Sequence, residues 1–125
     1  MKVVRIAPDG DMQIAEFPDE ESSKKINELV GGYFDCISLP RLGLDLWVHD
    51  EGLLLGMELN IFAQALWEGE HGIPGGHIVG PVVITGLADN EGFTTSVPES
   101  FVNTVIIPAI KFSEEQKSIM ESIGE

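Results

Sequence analysis

His71 and His77 stand six residues apart with Glu68 and Glu70 beside them, a set of nitrogen and oxygen donors that could hold a divalent ion. Their spacing matches no established ligand pattern such as H-E-x-x-H, so no metal is assigned. A nucleophilic site needs Ser or Cys beside a histidine and a carboxylate. The chain has no G-x-S-x-G elbow, and its single cysteine, Cys36, falls in a strand-like segment where a buried, inert thiol is expected. Neither the phosphate cradle G-x-x-x-x-G-K nor the dinucleotide fingerprint G-x-G-x-x-G is present. No catalytic residue and no cofactor is therefore assigned, and an enzyme is the less favoured class.

Binding is better served than catalysis. Leu42 to His49 alternates, with Leu42, Leu44, Leu46 and Val48 on one face and Gly43, Asp45, Trp47 and His49 on the other. A carboxylate, an indole and an imidazole side by side suit a pocket or a subunit contact, against the plainer reading of Trp47 as a packing residue under a helix. From Gly69 to Gly76 the composition turns loop-like, with four glycines, Pro74 and His71, which marks a mobile binding loop whose amides suit an anion. The candidate ligand-binding residues are Asp45, Trp47, His49, His71, Gly75, Gly76 and His77.

The elements that must position these residues can be read from turns and periodicity. Lys2 to Ala7 and Asp11 to Phe17 form a hairpin about Pro8-Asp9-Gly10. Asp19 is expected to cap a helix carrying Ile26, Leu29 and Val30, which Gly31-Gly32 ends before a strand from Tyr33 to Leu39. Strands are expected over Leu42 to His49, Leu53 to Met57, Ile78 to Leu87 (interrupted at Gly80-Pro81) and Phe93 to Ser96. Asn60 caps a helix bearing Ile61, Phe62, Ala65 and Leu66, and Ser96 caps another through Phe101 to Ile107. That last segment is rich in β-branched residues, so a strand competes there. Ser113 with Gln116 reads as the capping box of a final short helix with the stripe Ile119, Met120 and Ile123. Tight turns between strands imply an antiparallel or mixed sheet with helices packed mainly on one face: one α+β domain over residues 1–125, a body to residue 100 and a helical extension over 101–125.

Seven basic against 21 acidic residues leave a formal charge of −14, which disfavours direct contact with nucleic acid or anionic lipid. The same charge admits a second reading, in which spaced carboxylates mimic a DNA backbone and block a host DNA-binding protein. The longest apolar runs are short and broken by glycine or proline, so no membrane span is expected, and one cysteine forms no intramolecular disulfide. With Met1-Lys2-Val3 leading straight into a strand pattern, a cytoplasmic protein is expected. Leu66, Trp67, Phe101 and the terminal stripe are more apolar surface than so small a body hides, which predicts a homodimer.

The order of the hairpin, LVGGYFDCISLP, LWVHDEGLLLGMELN, an alanine-containing helix, GGHIVGPVVITG and an acidic glycine turn resembles the DUF3846 family. The resemblance covers roughly residues 1–100 and rests on Gly31-Gly32-Tyr33, Asn60 and Ile78-Val79-Gly80-Pro81. It implies a small protein of phages, prophages or plasmids, acting in the host cytoplasm, and it carries over no catalytic residue. The expectation that follows is a non-catalytic, oligomeric binding protein that captures a small molecule or a host protein, as a counter-defence factor would. An acidic DNA mimic, and a metal-assisted hydrolase using His71, His77 and Glu70, are the alternatives.

Overall fold

The computed structural model describes residues 1–123. Lys2–Ile6 (β1) and Met12–Glu16 (β2) form the first hairpin, a 3-10 turn at Asp19–Glu21 leads into Ser22–Val30 (α1), and Phe34–Leu39 (β3) and Leu44–His49 (β4) form the second hairpin. Ile61–His71 (α2), Val82–Gly86 (β5) and a continuous helical run complete the chain. That run comprises Glu99–Phe101 (α3), a π-helical turn at Val102–Ile106, and Ile107–Ile123 (α4). The five strands pair antiparallel in the order β2-β1-β5-β4-β3.

Because side chains alternate across a strand, this register sorts the core into two layers. On one face Val4, Ile6, Leu44, Leu46, Val82 and Ile84 pack with Ala63 of α2, Val97, Val102 and Ile106. On the other, Val3 and Val83 pack with Ile26 and Val30 of α1, joined at the margin by Phe34 and Trp47. Two helical units thus cover one face, and α1 crosses the other. Central β5 is buried along its whole length because it is covered from both sides, which is why VVITG reads as an unbroken run rather than an alternation. Among the described residues, no helix is long and apolar enough to cross a membrane.

Several local expectations are corrected. Leu53 to Met57 is no strand: the amides of Leu55, Gly56 and Met57 donate to the carbonyls of Glu51, Leu53 and Gly52, folding the segment into consecutive turns. Three adjacent leucines lack the period-two pattern a half-buried strand needs, and they stand exposed. Phe93 to Ser96 also stays out of the sheet. Asp89 Oδ1 accepts the amides of Glu91 and Phe93, which coils the turn, and Ser96 Oγ accepts the Lys2 amide instead of capping a helix. Asp19 is likewise no cap, since its carboxylate pairs with the Met1 ammonium at 2.8 Å. Ser113 and Gln116 lie inside α4, not at its start. Phe101 to Ile107 is helical as expected, and its π-turn widens the spiral ahead of Pro108, whose ring would otherwise strike the carbonyl four residues back.

Gly31 ends α1 as expected, at φ +93°, where a side chain would be strained. Asn60 caps α2 as expected, its Oδ1 accepting the Ala63 amide at 3.1 Å. Its Nδ2 also donates to the carbonyls of Ile6 (3.0 Å) and Gly80 (2.9 Å), tying the end of β1 and the approach to β5 to the start of α2. The residue is only 1% exposed, so removing its amide strands three buried backbone groups. Asn60→Ala is expected to cost about 3 kcal/mol, or roughly a 10 °C fall in Tm. Asn60→Asp keeps the cap but turns a carboxylate on two carbonyls. Thermal denaturation should rank Asp no better than Ala; near-wild-type stability of the Asp variant would refute the donor role.

Candidate functional site

The β3–β4–β5 register lays Ser38, Asp45 and Thr85 in one row across the face that α1 crosses, with Cys36, Trp47 and Val83 in the next. Ser38 Oγ donates to Asp45 Oδ1 at 2.6 Å, and Trp47 Nε1 donates to Thr85 Oγ1 at 2.9 Å. The Trp47 indole meets the Phe34 ring at 85° with centroids 5.4 Å apart, an edge contact that closes the small core layer. His49 Nδ1 accepts the Glu51 amide at 3.0 Å, which places the ring proton on Nε2 and fixes the start of the leucine turns. That imidazole lies against the backbone of Gly32, where a Cβ would come within 2.7 Å of Nε2. Gly32 is thus a glycine because the histidine needs the room. All three residues predicted on this face have structural engagements.

The second predicted group lies on the opposite face, at the end of α2. His71 packs against Trp67 with ring centroids 4.2 Å apart and the planes tilted by 43°, and Gly76 lies on the same indole, with room for no Cβ without displacing it. The Gly75 amide reaches Glu68 Oε1 at 3.4 Å, and His77 is exposed. Glu70 is 4% exposed, yet it faces the β3–β4 turn: its Oε1 accepts the amides of Arg41 (2.8 Å) and Leu42 (3.1 Å). It clamps a turn and is not available to a metal beside His71. Among the described residues, no group of three or more His, Cys, Asp or Glu side chains has the geometry to hold a metal ion. The sheet therefore separates Asp45, Trp47 and His49 from His71, Gly75, Gly76 and His77.

A cleft of about 700 Å³ opens elsewhere, between the start of α1 and the loop after β5. Asp19, Glu20, Ser22 and Ser23 line one wall, and Asp89 with Gly92 to Ser96 lines the other. Several of these groups hold the walls in place. Ser22 Oγ donates to the Asp19 carbonyl, Thr95 Oγ1 donates to the Leu87 carbonyl, and the Met1 ammonium pairs with Asp19. Among the described residues no side-chain hydrogen bond engages Glu20, Ser23 or Thr94, and the Phe93 ring is 66% exposed at the rim. Reading Phe93 to Ser96 as a strand hid this cleft from sequence. The hydroxyl run Thr94-Thr95-Ser96 facing Ser22-Ser23 was the available signal.

The family model for DUF3846, a domain of unknown function, matches residues 1–107. The chain belongs to the DUF3846 family. Neither a curated protein nor a solved structure matches it. The match to the DUF3846 model takes in the whole sheet and both cleft walls, and it ends where α4 begins.

Cys36, expected to be buried, lies on the edge strand of this DUF3846 protein and is exposed, with its thiol within hydrogen-bonding reach of Ser38 and Asp45. Partial burial first, and then the negative charge of Asp45, push its pKa from 9.0 up to about 11; a hydrogen bond with Ser38 works the other way. A raised thiol pKa leaves less thiolate at any lower pH, so alkylation by iodoacetamide at pH 8 should run roughly 10- to 100-fold slower than for a free cysteine. Asp45→Asn should speed it, by removing the charge that opposes ionisation. Rates equal to free cysteine in the parent chain would show the thiol to be unperturbed.

Proposed function

We propose that the protein is a non-catalytic binding protein that captures a small, positively charged or hydroxyl-rich molecule in the cleft between α1 and the Asp89–Ser96 loop. The observation that carries this reading is the division of labour in the cleft: one set of polar groups fixes the walls, and Glu20, Ser23 and Thr94 remain unengaged among the described residues. A preformed site of this kind binds without first ordering its own side chains. Glu20 and Asp89 leave the mouth acidic even after Asp19 is matched by the Met1 ammonium, so amines and sugars are favoured over nucleotides and other polyanions. The exposed Phe93 ring at the rim suits the face of a cation or a sugar ring.

The structural engagement of the other reactive groups supports binding over catalysis. The Cys36 thiol is held away from ionisation, His49 and Glu70 brace turns, and His71 packs against Trp67. The phage setting that the family resemblance implies fits sequestration of a host metabolite. The DNA-mimic reading keeps the formal charge of −14 as its support.

A thermal-shift panel tests the proposal directly. Polyamines, amino sugars and neutral polyols should include a compound that raises Tm by about 5 °C at ten times its Kd, and nucleotides should leave Tm unchanged. Glu20→Gln combined with Phe93→Ala should remove most of that shift without lowering the unliganded Tm, since both side chains are solvent-facing. A panel with no stabilising cation or polyol, or a shift undiminished in the double variant, would overturn the cleft as the site.

A further inference from the structure

Beyond Ile107, α4 runs on for four more turns in which no residue is buried. Val105, Ala109, Phe112, Gln116, Ile119 and Ile123 follow one another in steps of four and three, the spacing of a coiled-coil seam. Val105 and Ala109 are half-buried against the body, whereas Phe112 is 63%, Ile119 52% and Ile123 76% exposed, with Met120 beside them at 68%. The seam passes from the body into solvent without a partner in the same chain.

We infer that the outer half of α4 pairs in parallel with α4 of a second copy of this chain, burying Phe112, Ile119 and Ile123 around a Gln116 pair. Charge selects the occupant. The whole chain carries −14, but α4 carries Lys111 and Lys117 against Glu114, Glu115 and Glu121, a net of −1, so this is where two such acidic molecules can approach with little repulsion. At about 100° per residue, Lys111, Glu114, Lys117 and Glu121 all point roughly 100° or more away from the stripe. Glu115 alone borders it. In a parallel pair Glu115 flanks Met120 of the other copy, whereas an antiparallel pair centred on Gln116 would bring the two Glu115 carboxylates together. A single polar residue at such a position sets register, which Gln116 supplies. The exposed Leu53-Leu54-Leu55 turn is a poorer face for self-association, because Asp50, Glu51 and Glu58 flank it and would be doubled by a second copy. This pairing does not depend on what the cleft binds.

The seam is about 25 Å long at most, shorter than stable dimers bury, so a micromolar dimer is expected. Sedimentation velocity of the full chain, over a series reaching about 100 µM, should show a monomer-to-dimer transition. Ile119→Glu should leave a monomer at every concentration with the far-ultraviolet spectrum of the parent, and Leu54→Glu should leave the dimer intact. Ile123→Cys in a Cys36→Ser background should oxidise to a covalent dimer, because a parallel pair aligns the two helix ends. A chain monomeric throughout the series, or a dimer that survives Ile119→Glu or dissociates with Leu54→Glu, overturns the seam. A dimer that does not cross-link through Cys at position 123 overturns the parallel arrangement.

Discussion

The side chain of Asn60 is buried where three segments of the chain meet, and the alignment of those segments depends on its three hydrogen bonds. The end of β1 and the entry to β5 each present a buried carbonyl to this side chain. One amide nitrogen serves both, while the oxygen of the same group starts α2. A helix start is thereby fixed to a particular row of the sheet, which sets how Ala63, Phe62 and Leu66 meet Ile6 and Val82. The backbone of Asn60 adds to this, since its own amide donates to the Ile78 carbonyl at 2.8 Å. Neighbouring segments join by the same pairing: Gly80 N–H donates to the Glu58 carbonyl, and Leu59 and Val79 form an isolated bridge. No other side chain of the proper size offers two donors and an acceptor in one plane except glutamine, whose extra methylene would displace all three contacts at once.

The polar residues that first suggested chemistry follow the same logic of satisfying a turn. A turn brings backbone amides to a place where strand pairing cannot use them, and a carboxylate or imidazole from elsewhere supplies the acceptor. Glu70 does this for the β3–β4 turn from 28 and 29 residues away, and His49 does it for the leucine turns from two. Asp89 does it within its own loop. Such residues look like candidates for acid-base work because they are polar, partly buried and near glycines. Those are also the properties of a turn brace. Distance to an amide, not residue type, separates the two roles.

Much of the fold was legible because it depends on local rules. The Asn60 cap, the Gly31 terminus, the first hairpin and the two-faced β4 strand require only neighbours in sequence to be recognised. Where the reading failed, a longer-range partner decided. Asp19 has the composition of a cap, but an ammonium 18 residues earlier takes its carboxylate. Ser96 has it too, but the amide of Lys2 claims its hydroxyl. The Ser113 box suggested the start of a separate final helix, whereas the π-turn accommodates Pro108 and lets one helix continue. The candidate site was harder still. Alternation placed Asp45, Trp47 and His49 together correctly, but nothing in the spacing reveals that α2 ends on the other side of the sheet.

Leu66, Trp67 and Phe101 illustrate why apolar composition alone overstates a surface. All three pack against the larger core layer, and Trp67 in addition covers Gly76 and His71. Phe112, Ile119, Met120 and Ile123 differ in kind, because they stand exposed and join neither core layer. A helix of this length without a packed face is held by propensity and its root in the core, and such helices are marginal in water. The charge balance of α4 argues that this exposure has a use. A merely solvated extension of so acidic a chain would be expected to share its excess of carboxylates. Instead the helix mixes Lys111 and Lys117 with its acids and keeps all but Glu115 clear of the apolar stripe, an arrangement that lowers repulsion at the one surface where a second helix would lie.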